Sequence, residues 1–183
     1  MFKLFFNKMR GGGRSPARKP FTKIVWSFLG AFVGIYLVSI LSELSQIGVL
    51  NSHFIVGSFG ASAVLIYGAP QAEFSQPRNL LGGHILSALI GVTIYKFVPF
   101  DITLLAALAV SLSIVAMHFT RTLHPPGGAT ALIAVIGSSE VHNVGFMFVL
   151  TPITTGALVL LIIALVVNNL SNNPKRHYPT YWL

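Results

Sequence analysis

Cysteine is absent from this 183-residue chain, and only four acidic residues occur in it: Glu43, Glu73, Asp101 and Glu140. The first absence excludes disulfides and thiolate metal centres. The second leaves no closely spaced carboxylate pair for general acid–base work, and neither an H-E-x-x-H run nor an embedded Ser-His-Asp set is evident from spacing. The chain therefore reads as neither an enzyme nor a metalloprotein, since its scattered histidines lack ligand spacing, and no cofactor is implied. A cation transporter is disfavoured for the same reason, because the long apolar runs hold almost no carboxylate. Charged residues as a whole make up 9% of the chain against 54% apolar ones, with a mean hydropathy of +0.75, which excludes an ordinary soluble domain.

What is present is a series of apolar runs near the length of about 20 residues that a helix needs to cross a bilayer. Four read as full spans, over residues 24–44, 79–98, 102–120 and 144–168. The net charge of +8 is no argument for nucleic acid, because seven of the twelve Lys and Arg residues fall within the first 23 positions. A basic segment ahead of a hydrophobic span is a cytoplasmic retention signal, and it lacks a signal-peptide plan. The expected organisation is a basic cytoplasmic segment over 1–23, one membrane domain over 24–170, and a cytoplasmic tail over 171–183 carrying Lys175 and Arg176.

Within the first span, Gly30-x-x-x-Gly34 leaves two gaps on one face for close helix approach, and Gly83, Ser87 and Gly91 form a small-residue stripe on the second. Glu43 reads as interfacial. His53, His84 and His118 read as hydrogen-bonded packing residues.

Two further stretches are apolar but interrupted. Residues 51–70 contain Gly57, Gly60, Gly68 and Pro70, so a uniform helix is not expected there. Residues 121–137 begin Arg121-Thr122-Leu123-His124-Pro125-Pro126-Gly127-Gly128. Two prolines force extended backbone before them, so a helix should begin at or after Pro126. It would then offer the backbone N–H groups of Gly127 to Thr130 to an anion. Gly60-Ala61-Ser62-Ala63-Val64-Leu65-Ile66 matches Gly128-Ala129-Thr130-Ala131-Leu132-Ile133, an internal repeat. The expected fold is thus an all-α integral membrane protein with four full transmembrane helices and two broken, half-helix elements, in two inverted three-element repeats over 24–98 and 102–168.

Charge bias favours crossing by the broken elements. If they cross, eleven of the twelve basic residues share one side and only Lys96 lies opposite; if they are re-entrant, ten do. Helices starting at Gly60 and Gly128 would then face one midplane cavity, with the Ser62 and Thr130 hydroxyls as added donors.

His124-Pro125-Pro126-Gly127-Gly128-Ala129-Thr130-Ala131, together with Phe59-Gly60-Ala61-Ser62-Ala63 and Gln76-Pro77-Arg78-Asn79, resembles the HPP family of integral membrane proteins over residues 20–170. The family is described as having four transmembrane helices, two fewer than the six embedded segments read here. Its members in cyanobacteria and chloroplasts are associated with nitrite transport, and the resemblance implies that activity. The expected function is a transporter or channel for a small inorganic anion, nitrite first, in an inner (cell) membrane rather than a chloroplast one, with both termini cytoplasmic. The expected substrate-binding residues are His124, Gly127, Gly128, Ala129 and Thr130, their counterparts Gly60, Ala61 and Ser62, and Arg121 and Arg78 at the mouth. The expected partners are the lipid bilayer and, because six short elements leave little wall around a cavity, further copies in a homo-oligomer. The alternative is a non-transporting membrane module that packs against a partner protein.

Overall fold

The structure, a computed structural model, describes residues 2–44, 52–173 and 176–183, without the side chains of residues 44 and 52–56. The side chain of His53 and all of Lys175 lie outside that set. Among the described residues every regular element is helical: α1 Phe2–Met9, α2 Phe21–Leu44, α3 Ser52–Ala63, α4 Pro77–Phe97, α5 Ile102–Thr120, α6 Pro125–Ile136, α7 Ser139–Val144 and α8 Thr155–Leu170. A π-helical turn, Val64–Gly68, continues α3, and another, Val149–Thr154, leads into α8. Four stretches are long and apolar enough to cross a membrane: Phe21–Glu43, Pro77–Phe97, Ile102–Thr120 and Val149–Leu170.

Local chemistry sets the boundaries. Asp101 caps α5 by accepting from Thr103 N at 3.0 Å and Leu104 N at 3.1 Å. The helix stops at Arg121, the one non-glycine residue with positive φ (56°) among those described. Pro77 opens α4, and Pro125 and Pro126 open α6, where a missing N–H is no loss. The expected last span, 144–168, is interrupted. Thr151 leaves helical geometry just before Pro152, and the hydroxyls of Thr154 and Thr155 take up the carbonyls of Val149 and Pro152 at 2.7 and 3.1 Å. That is how a kink survives without water.

The small-residue faces predicted from the sequence are where helices meet. A Cβ added at Gly83 would lie 2.5 Å from His124 Cβ, and one at Gly91 would lie 2.7 Å from Ala131 O and Ala134 Cβ. Helices α4 and α6 therefore run in the same direction at close range. Between them α5 runs the opposite way, bringing Leu105 to Ile94 and Val135, and Met117 to Ser87. Gly30 and Gly34 of α2 both lie against the ring of Tyr67, whose hydroxyl donates to Leu160 O of α8 at 3.0 Å.

These contacts put the start of α2, the end of the α3 π-turn, the start of α4, the end of α5 and the end of α8 at one end of the bundle. Arg78 Nη2 donates to Thr120 O there (2.7 Å), and Arg176 donates to Tyr67 O (2.8 Å) and Lys23 O (3.4 Å). Lys96 is at the opposite end, beside Gly145 and Phe146. Successive embedded elements thus alternate in direction, which is the arrangement that crossing elements require.

The broken elements differ from their expected form. Gly60 lies inside α3, so no helix begins at that position. The irregularity comes later, at the π-turn, whose last carbonyls are held by side chains: Asn168 Nδ2 on Ile66 O at 2.9 Å, and Ser27 Oγ and Arg176 on Tyr67 O. The second element is a short helix, but it starts at Pro125, one residue earlier than expected and three before Gly128.

Candidate functional site

Four polar side chains meet in the interior, each 0% exposed: Ser62 from α3, His84 from α4, His124 from the elbow before α6, and Thr130 from α6 itself. Ser62 Oγ lies 2.7 Å from His84 Nε2 and 2.8 Å from His124 Nε2. His84 Nδ1 lies 2.7 Å from Thr130 Oγ1, and His124 Nδ1 lies 2.7 Å from Phe74 O. The imidazole centroids are 5.0 Å apart, and the Phe59 ring sits 5.3 Å from His84. Buried polar groups without partners are costly in hydrocarbon, and this cluster solves the problem by serving its own needs.

Backbone approach makes the cluster possible. Gly83 leaves room for the β-carbon of His124, while a Cβ at Gly127 would meet Gly83 O and Ser87 Oγ at 2.8 Å. The extended backbone of His124 (φ −139°, ψ 103°) turns its ring inward rather than along the helix. The internal repeat then acquires a physical meaning: Ser62 and Thr130, at matching positions, flank the two nitrogens of one imidazole. Each hydroxyl also has its own i−4 carbonyl as an alternative acceptor, Ser58 O at 3.2 Å and Pro126 O at 3.3 Å. One turn before Ser62, Ser58 Oγ is buried with no hydrogen-bond partner.

The open amides expected at Gly127 to Thr130 are not available. Pro125 and Pro126 have no N–H, Gly127 N donates to His124 O at 2.8 Å, and the helical ladder takes over from Gly128. A paired half-helix amide site is therefore ruled out at both ends, at Gly60 because the helix is already running. Gly60 and Ala61 instead face outward, Ala61 being exposed, and nothing lies within 4 Å of a Cβ placed on Gly60. Gly128 and Ala129 line an apolar groove of ≈ 540 Å³ with Val110, Ile114, His118 and Leu132.

Arg78 and Arg121 do come together, in a polar recess of ≈ 460 Å³ at the end of the bundle, shared with Gln71, Glu73 and Tyr181. Partial burial first, and Glu73 second, hold the Tyr181 phenol above its ordinary range, while Arg78 pulls the other way. The loop bearing this recess also presents Phe74 O to His124, so recess and cluster are linked through one short segment. His142 serves the opposite end, with Nε2 3.0 Å from Val135 O, on the last turn of α6, and its ring stacked on Tyr95.

His84 is the functional candidate that sequence reasoning missed. A signal existed: it adjoins the Gly83-Ser87-Gly91 stripe, and the two repeat hydroxyls needed a common partner.

A family model described as the HPP transmembrane region matches residues 16–179. Two proteins of Dictyostelium discoideum, each described as a transmembrane protein, are 45% and 43% identical over 97% of this chain. The chain spans 57% and 63% of the length of those relatives. No solved structure matches it.

Proposed function

We propose that this chain, which belongs to the HPP transmembrane family, is the membrane part of a transporter or channel for a small inorganic anion, with nitrite the first substrate to test. The observation that carries the reading is the Ser62-His84-His124-Thr130 cluster, held in the interior where three helices meet. Ionisable side chains at such depth mark substrate or ion pathways. The acids among the described residues stay out of the interior: Glu43, Glu73 and Asp101 are exposed, and Glu140 is on α7, beyond the end of α6. An interior with two imidazoles, free hydroxyl capacity and no carboxylate suits an anion rather than a cation. Arg78 and Arg121 in the recess add an attractive field at the entrance, which on the positive-inside rule is the cytoplasmic end.

Since all four cluster residues are fully buried, the arrangement is a closed one, and passage needs α6 to move against α3 and α4. Ser62 and Thr130 are suited to that step. Each can turn its hydrogen from imidazole to its own i−4 carbonyl or to a passing anion without being left unpaired, and Ser58 adds a further donor. On this reading the substrate crosses unchanged, and a homo-oligomer supplies the lipid-facing wall.

The experiment is flux of nitrite, nitrate, formate and chloride into proteoliposomes, compared with protein-free vesicles. Anion-selective flux is expected, and Thr130→Val and His84→Gln should lower it about tenfold or more, the scale of one buried hydrogen bond to a polar partner, at equal protein incorporation. Flux no greater than in empty vesicles sinks the reading.

A further inference from the structure

We infer that the cluster is a one-proton relay, and that the anion it serves supplies the counter-charge, so that proton and anion cross together; this coupling rests on the transport reading above. The argument begins with the hydrogens. Phe74 O can only accept, so His124 carries its proton on Nδ1 and its Nε2 is an acceptor when the ring is neutral. Ser62 then donates to His124 Nε2, and its oxygen accepts from His84 Nε2–H. His84 Nδ1 is left as an acceptor, filled by the Thr130 hydroxyl. Every hydrogen is used once, and the two rings are opposite tautomers.

The same atoms accommodate one more proton. A proton bound at His84 Nδ1 donates to Thr130 Oγ1, whose own hydrogen turns to Pro126 O, already within 3.3 Å. His84 is then the cation. Two hops move the charge: His84 Nε2–H passes its proton to Ser62 Oγ as the Ser62 hydrogen passes to His124 Nε2. His124 is now the cation, donating to Phe74 O and Ser62, while Ser62 donates back to the bared His84 Nε2. No atom is left unpaired in either state. The charge has moved from the middle of α4 toward the loop that carries the basic recess.

A buried cation needs a counter-charge, and among the described residues the surrounding elements offer none. Tyr67 on the α3 π-turn donates to Leu160 O, Arg78 on α4 to Thr120 O, and Arg176 to Tyr67 O and Asn168. On α5, His118 is exposed and Asp101 is engaged as the cap, and Arg121 beyond that helix is exposed; Glu73, beside Phe74, is exposed too. Facing the cluster are Phe59 of α3 and Ser87 and Gly83 of α4, none of them charged. The relay is therefore satisfied in hydrogen bonds and unsatisfied in charge once protonated, a deficit that a monovalent anion fills one for one.

Two measurements test this. In bilayers, ¹⁵N solid-state NMR of histidine-labelled protein, assigned with His84→Gln and His124→Gln, should give the Nδ1–H tautomer for His124 and the Nε2–H tautomer for His84. On acidification the pair should take up a single proton. Identical tautomers, or uptake of two independent protons, overturn the relay. In proteoliposomes, flux should rise about tenfold per unit fall in pH, as for one coupled proton, and be indifferent to a potassium diffusion potential. Ser62→Ala should remove the pH dependence that Ser62→Thr retains. Flux that follows the potential and ignores the pH gradient overturns the coupling and leaves the transport reading standing. No flux of any anion overturns both transport and coupling, and the NMR result alone then decides the relay.

Discussion

Gly127 and Gly128 are adjacent, chemically identical and opposite in what they tolerate. At Gly127 a methyl group would sit 2.8 Å from both Gly83 O and Ser87 Oγ, well inside the 3.4 Å at which ordinary contact begins, and one of those atoms is backbone. The space has to come from separation of α6 from α4. Overpacking of this kind costs about 1–3 kcal/mol, and the shift also stretches the 2.7 Å bond between Thr130 and His84. At Gly128 the nearest atom to an added methyl is Val110 Cγ1 at 3.8 Å, so Gly128→Ala gains helix propensity of about 1 kcal/mol without a clash. With about 2–4 °C per kcal/mol for a chain of this size, the two variants should melt on the order of 5–10 °C apart, Gly127→Ala the lower. The assay is thermal unfolding in one detergent, followed by the fraction that remains monodisperse, with nitrite flux as a parallel readout. Equal melting temperatures, or Gly128→Ala the weaker protein, refute the packing argument. A bare-amide anion site, by contrast, would make Gly128 the sensitive position.

Substitutions at two other positions follow from helix ends. Arg121 holds a left-handed backbone that suits glycine, so Arg121→Gly should raise stability by about 1 kcal/mol and Arg121→Ala should not. Both should reduce low-salt anion uptake alike if the side chain acts as an entrance charge, as flux at varied ionic strength will read. Asp101→Ala removes two capping bonds from α5 and should cost about 1 kcal/mol, seen as a lower melting temperature with unaltered anion selectivity.

Much of the architecture was legible. Apolar runs located the spans within a few residues, because span length is set by the bilayer and not by the partners. The Gly30/Gly34 pair and the Gly83-Ser87-Gly91 stripe announced close approaches, and both occur, because only a missing side chain lets backbones come that near. The repeat set Ser62 and Thr130 at matching positions, and the structure brings both hydroxyls to His84, not to the paired helix starts where the repeat had put them. It read Gly60 as a helix start, whereas a single glycine inside a helix costs only about 1 kcal/mol and α3 runs straight through it. It also counted on amides that the two prolines and the His124 carbonyl remove.

The sequence by itself determined that this chain lives in a membrane, that its long apolar runs hold almost no acid, and that one hydroxyl recurs at a matching position in each half. Those properties belong to residues singly or to their spacing along a helix. Only the tertiary structure decided that both hydroxyls close on His84, that Gly127 is locked while Gly128 is free, and that Arg78 and Arg121 share a recess. Each of these depends on which faces of α3, α4, α5 and α6 are turned toward one another, and helical periodicity fixes a face without naming its partner.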